Sequence, residues 1–104
     1  MIAFSIQNGK KSTIYTIHSD GSNLTTILED TVSMGNPIFT PDKRNIIFGK
    51  QVHNSFNGTE LFIMNVNGSD VRQLTHGDTP FGGFQPYLSS DGQTILFTSM
   101  RERD

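Results

Sequence analysis

The chain has 104 residues, a formal net charge of -2 with 8 Lys and Arg against 10 Asp and Glu, and no cysteine. That length is one small domain's worth. The charge argues against the clustered basic surface that grips nucleic acid or an anionic membrane, and the missing thiols exclude disulfide frameworks, thiolate metal sites and cysteine nucleophiles.

Leu, Ile, Val and Phe make up about 27 % of the residues, enough to build a packed core. Ser, Thr, Asn and Gly are abundant and charged residues are only 17 %, which suits short strands joined by turns. No apolar run approaches the roughly 18 residues of a membrane-spanning helix. Residues Met1 to Lys11 hold no basic leader or apolar h-region, so no signal peptide is expected. The chain as it stands reads as cytoplasmic, with its localisation otherwise open.

In chain order the first predicted strand is 2–5, followed by a loop from Ile6 to Thr13 and a second strand over 14–18. Asp20-Gly21 then marks a hairpin turn, and 24–28 forms the returning strand. After a loop from Glu29 to Gly35, a strand over 36–40 opens with Asn36-Pro37, where proline pushes its predecessor toward extended geometry. Asp42 closes an Asx-turn before a strand over 45–49. A loop from Lys50 to Glu60 leads to 61–65, the Asn67-Gly68 turn and a strand over 71–75. A loop from His76 to Phe84 precedes 85–89, begun by Gln85-Pro86, and the Asp91-Gly92 turn leads into 94–98. Gly92 supplies the positive φ of that turn, whereas Lys43 in the matching place is not expected to. No helix is predicted.

The elements repeat. Met1 to Ser5, Asn45 to Gly49 and Thr94 to Thr98 align; so do Ile14 to Asn23 with Leu61 to Asp70, and Asn36 to Asp42 with Gln85 to Asp91, at offsets of 44, 47 and 49 residues. A period in the forties with several short strands per unit is the signature of β-propeller blades. Within a blade the strands take positions a (36–40, 85–89), b (2–5, 45–49, 94–98), c (14–18, 61–65) and d (24–28, 71–75). Strands b and c are apolar on both faces and need covering on both, as in a blade between two blades. Strand d, with Thr25, Thr26, Arg72 and Gln73, is polar enough for an exposed edge.

These residues resemble the TolB-like β-propeller repeat, with its Ser-Pro-Asp-Gly turn and its Asp-Gly-Ser-Asn turn before an Arg-Gln-Leu-Thr strand. Thr40-Pro41-Asp42-Lys43 and Ser89-Ser90-Asp91-Gly92 match the first turn in part. Asp20-Gly21-Ser22-Asn23 matches the second, Asn67-Gly68-Ser69-Asp70 approximates it, and Val71-Arg72-Gln73-Leu74-Thr75 follows the strand closely. The aromatic before the first turn, usually Trp in the family, is Phe39 and Leu88 here, a conservative core change. The resemblance covers nearly the whole chain. It implies an all-β propeller of six or seven blades that binds partners through its faces; oligopeptidase propellers, some oligogalacturonate lyases and periplasmic proteins are among the relatives. The motif residues are structural, so the resemblance carries fold and not chemistry.

Nine strands are one more than two blades require. Residues 1–35 read as an incomplete first blade of strands b, c and d, 36–84 as a complete second blade, and 85–104 as strands a and b that complete a blade of a neighbouring chain. Stacked repeats need neighbours to bury their end faces. The expectation is therefore a head-to-tail homo-oligomeric ring, a homotrimer of six blades, in which 1–5 and 94–98 compete for one position. The alternative is a fragment or an engineered self-assembling half-propeller with no activity of its own.

The b–c and d–a loops share one face around the channel mouth, where propellers take ligands. On those loops His76, Asp78, Phe81 and Phe84 form one candidate binding patch, weighed against Phe81 and Phe84 plugging the adjacent blade. His53 and Phe56 form a second, weighed against a solvated loop. Asp20, Gly21, Asp42, Asn67, Gly68, Asp91 and Gly92 are assigned to turns, and His18 to stabilising one. The three histidines lack metal-ligand spacing, so no metal or other cofactor is expected from one chain, although ring symmetry could gather copies of one residue at the axis. No nucleophile elbow, phosphate loop or zinc-protease motif occurs, so no catalytic residue is assigned. Asn23, Asn57 and Asn67 begin sequons of a kind that Asn-rich turns produce by chance. The reading is a non-enzymatic binding or scaffold propeller presenting loops to a protein or small ligand; the alternative is the propeller of a lyase-like enzyme or a peptidase.

Overall fold

The structure, a computed structural model, describes residues 1–52, 59–75, 83–89, 91 and 93–99. Its strands are β1 (Ile2–Asn8), β2 (Lys11–Ile17), β3 (Thr25–Asp30), β4 (Met34–Phe39), β5 (Asn45–Gln51), β6 (Thr59–Asn65), β7 (Arg72–Gln73), β8 (Gly83–Leu88) and β9 (Ile95–Ser99). They form three antiparallel sheets, ordered β1-β2-β3, β4-β5-β6-β7 and β8-β9, and no helix occurs among the described residues. The sheets stack in chain order, β4 against β1 and β2, and β8 against β4, β5 and β6.

Alternation of side chains explains the stacking. Along β5 and β6, Ile46 faces Met64 and Phe48 faces Phe62, and these four pack with Ile14 and Met34 into one core between the first two sheets. Ile47 and Leu61, also buried, point to the other face, the side on which β8 lies. The Phe48 and Phe62 rings stack at 5.8 Å. A sheet bearing apolar residues on both faces is thus covered on both. β1 differs: it is an edge strand, with Ile2 and Ile6 about half exposed at 50 % and 49 %.

Four local expectations are corrected. The segment from Ile6 to Thr13 is not a loop: β1 and β2 pair up to Asn8 opposite Lys11, leaving only Gly9 and Lys10 to turn the chain. Gly9 has φ +65°, the left-handed geometry a tight hairpin needs at its first central residue. The loop from Glu29 to Gly35 likewise shrinks to residues 31–33, because β3 runs to Asp30 and β4 starts at Met34. Lys43 does take a positive φ, +64°, since the turn holds it between the Asp42 carboxylate and the Lys43 N–H···O=C bond to Thr40. Asn36 is not extended before its proline; it sits at φ +54° as the extra residue of a bulge between Gly35 and Ile38. The same shift recurs in β8 between Phe84 and Tyr87, so the bulge belongs to the repeat.

A second bulge also recurs. The β2–β3 register shifts between Ile14 and Tyr15, which leaves Ile27 as the extra residue opposite them. In the next sheet the N–H groups of both Leu74 and Thr75 point at the Leu61 carbonyl, at 2.7 and 3.4 Å, which places the bulge at Leu74. Ile27 and Leu74 are 47 residues apart, the offset of their partner strands.

Candidate functional site

The strand directions separate two ends of the stack. At one end lie four turns, each closed by the same device. The Asp20 Oδ1 accepts from the Ser22 N–H at 2.9 Å and the Ser22 hydroxyl at 2.6 Å. Asn67 does the same for Ser69, at 3.0 and 2.6 Å. Asp42 accepts from the Arg44 N–H and the Thr40 hydroxyl, and Asp91 from the Gln93 N–H and the Ser89 hydroxyl. Donation from the hydroxyl, followed by that from the backbone, holds the carboxyls of Asp20, Asp42 and Asp91 below the usual range. His18 joins the first turn through its backbone, its N–H donating to the Ser22 carbonyl at 2.9 Å. Gly21 and Gly68 take the positive φ of their turns, +90° and +88°. Gly92 lies outside the described residues.

At the other end are the Gly9–Lys10 turn, the 31–33 segment and the facing ends of β5 and β6. Side chains from the first two sheets meet here. Lys50, near the end of β5, reaches Asp30 at the end of β3, 3.0 Å away, with both side chains partly buried. That ammonium, ahead of the N–H groups of Thr31 and Val32, holds the Asp30 carboxyl below its usual value. Lys50 also lies over the Phe62 ring, 5.2 Å from its centre. Across the ladder stands Glu60, 1 % exposed, which accepts from the Thr75 hydroxyl. The Ser12 hydroxyl accepts from the Met34 N–H at 3.1 Å, and the Ser33 hydroxyl donates to the Gln7 side chain at 2.5 Å.

The Lys50–Asp30 and Ser12–Met34 contacts join the first sheet to the second, and Ser33 ties the segment between them back to β1. Among the described residues no buried side-chain nitrogen or oxygen lacks a hydrogen-bond partner, and no three His, Asp or Glu side chains gather in a metal-binding cluster. The chemistry of the described end is that of a seam: it fixes how two sheets sit together.

Of the candidate binding residues, His53, Phe56, His76, Asp78 and Phe81 lie outside the described residues. Phe84 falls in β8, in register with Thr98. Sequence reasoning misses Lys50, Asp30 and Glu60 as site residues. A lone Glu60 entering an otherwise apolar run, Leu61 to Met64, is the available signal, since a charge there must be buried with a partner.

No protein-family model matches the chain. Over 62 residues, 60 % of the chain, it is 36 % identical to an uncharacterized peptidase, YuxL, of Bacillus subtilis, and it spans only 9 % of that protein. The crystal structure of TolB from Acinetobacter baumannii superposes on 96 % of the chain with a TM-score of 0.77 at 20 % identity. A structure assigned as TolB from Agrobacterium tumefaciens covers 95 % with a TM-score of 0.67, also at 20 % identity. The chain spans 25 % and 39 % of those two proteins. The likeness shows the fold: the sheets are blades of a TolB-like β-propeller.

Proposed function

We propose that the chain is a non-enzymatic binding or scaffold propeller that completes itself by assembling head-to-tail, three copies forming a ring of six blades, and that presents its b–c and d–a loops to a protein or small ligand. The observation that carries this reading is the difference between the first sheet and the last. β1 leaves an open edge in a three-stranded sheet, with Ile2 and Ile6 half exposed, while β8 packs on β4, β5 and β6 and pairs with β9 alone, which supports reading β8 as a further blade's innermost strand. An inner strand beyond the second blade and a first blade lacking one are complementary. Light scattering on the purified chain tests the assembly, the expected mass being three times 11.6 kDa. A monomer that unfolds cooperatively would overturn it.

A second reading, the propeller of a peptidase-like protein, is favoured by the 36 % identity to the Bacillus subtilis protein. The coding region separates the two. A reading frame that runs on into further blades and a peptidase segment supports the second and removes the need for separate copies.

A further inference from the structure

The contact between the first two sheets includes one approach too close for any side chain. A Cβ on Gly68, in the turn between β6 and β7, would stand 2.2 Å from the Ile27 carbonyl oxygen and 3.3 Å from its Cγ2. The turn of one blade therefore rests directly on the bulge in the outer strand of the blade before it. Gly68 is glycine for two reasons, its φ of +88° and this approach.

Both partners recur at the same offset, 47 residues away, and among the described residues neither meets its counterpart there. Gly21, at φ +90° in the matching turn of the first sheet, has nothing within 4 Å of the place a Cβ would take. Leu74, the bulged residue matching Ile27, is 39 % exposed. One copy thus offers a part-exposed bulge on its second blade and an open glycine turn on its first.

We propose that the Gly21 turn of one copy seats on the Leu74 bulge of the preceding copy, repeating between chains the contact that Gly68 makes with Ile27 within one. The inference rests on the head-to-tail reading above and names its interface. A second copy is the occupant because it carries the turn whose twin already fits the twin bulge, so the new interface continues an existing one. β8 agrees in direction: it packs on β4, β5 and β6, on the side where the next blade must lie.

Two variants test it. Gly21→Asn keeps a residue that tolerates positive φ but adds a Cβ where the carbonyl must come. Leu74→Asp places a charge in the bulge. Each alone is expected to lose the oligomer peak in size-exclusion chromatography with light scattering while keeping the wild-type circular dichroism spectrum.

Mixing them is more specific. The Gly21→Asn chain retains an intact Leu74, and the Leu74→Asp chain retains an intact Gly21, so one good interface remains. The mixture should form a 1:1 dimer at twice 11.6 kDa and nothing larger. A variant that had merely failed to fold would not recover in this way. A wild-type oligomer that persists in both variants overturns this interface and leaves the ring reading standing; a wild-type monomer overturns both.

Discussion

At the residue scale the two kinds of glycine turn separate conformational need from close packing. Gly68→Ala meets both a positive φ and a backbone oxygen 2.2 Å from the new Cβ. Gly9→Ala meets the φ of +65° alone, with open space around it. Gly9→Ala should therefore lower stability by about 1 kcal/mol. Gly68→Ala should lower it by about 2–4 kcal/mol, the extra coming from the two sheets being pushed apart. Urea unfolding of the two variants measures the difference, and equal losses would mean that the turn does not rest on Ile27.

Asp30 makes an electrostatic prediction. Its folded carboxyl is held below the ordinary value of 3.8, first by Lys50 and then by the N–H groups of residues 31 and 32. A depressed carboxylate contributes stability that is complete above the unfolded value and disappears as pH falls through the folded one. The fold should thus weaken from about pH 4 downward, with Asp20, Asp42 and Asp91 contributing in the same direction. Asp30→Asn should cost about 1 kcal/mol at neutral pH and flatten that acid limb. Denaturation midpoints measured from pH 7 to pH 3 read both effects.

At the element scale the sequence was legible wherever a local rule and the tertiary contact agreed. Asp20-Gly21 and Asn67-Gly68 are turns by composition, and they form turns. The consecutive apolar residues of β5 and β6 read as strands covered on both faces, and Ile46, Ile47 and Phe48 are all buried. Legibility failed where the repeat overrode local preference. Nothing intrinsic to Lys43 asks for left-handed backbone, and at Asn36 the asparagine's tolerance of it is set against the extended geometry that Pro37 favours; the turn and the bulge decide it. The polar run Gln7, Asn8, Lys10, Lys11 has a loop's composition, yet it is the pairing of β1 with β2 that sets the structure there. The Lys50–Asp30 seam was not readable because its residues belong to different blades, and spacing along one chain carries no sign of it. The bulge of β4 is testable on these terms. Asn36→Val puts a β-branched residue at φ +54° and should cost about 1–3 kcal/mol, whereas Asn36→Gly should be nearly neutral. Thermal melts of the pair decide it.

For the whole molecule, the head-to-tail assembly proposed above predicts that stability depends on concentration. A folded state that gains burial by binding further copies of itself is stabilised by mass action, while the unfolded chain gains nothing. For a trimer, a tenfold dilution removes about 1 kcal/mol per chain. In a domain of this size that corresponds to roughly 4–8 °C in the unfolding midpoint. Melts at three concentrations a decade apart should therefore fall in step, and Gly21→Asn should melt at one temperature throughout, at or below the most dilute wild-type value. A wild-type midpoint independent of concentration would mean that the half-exposed Ile2 and Ile6 are tolerated by a lone chain and that the blades need no partner copy.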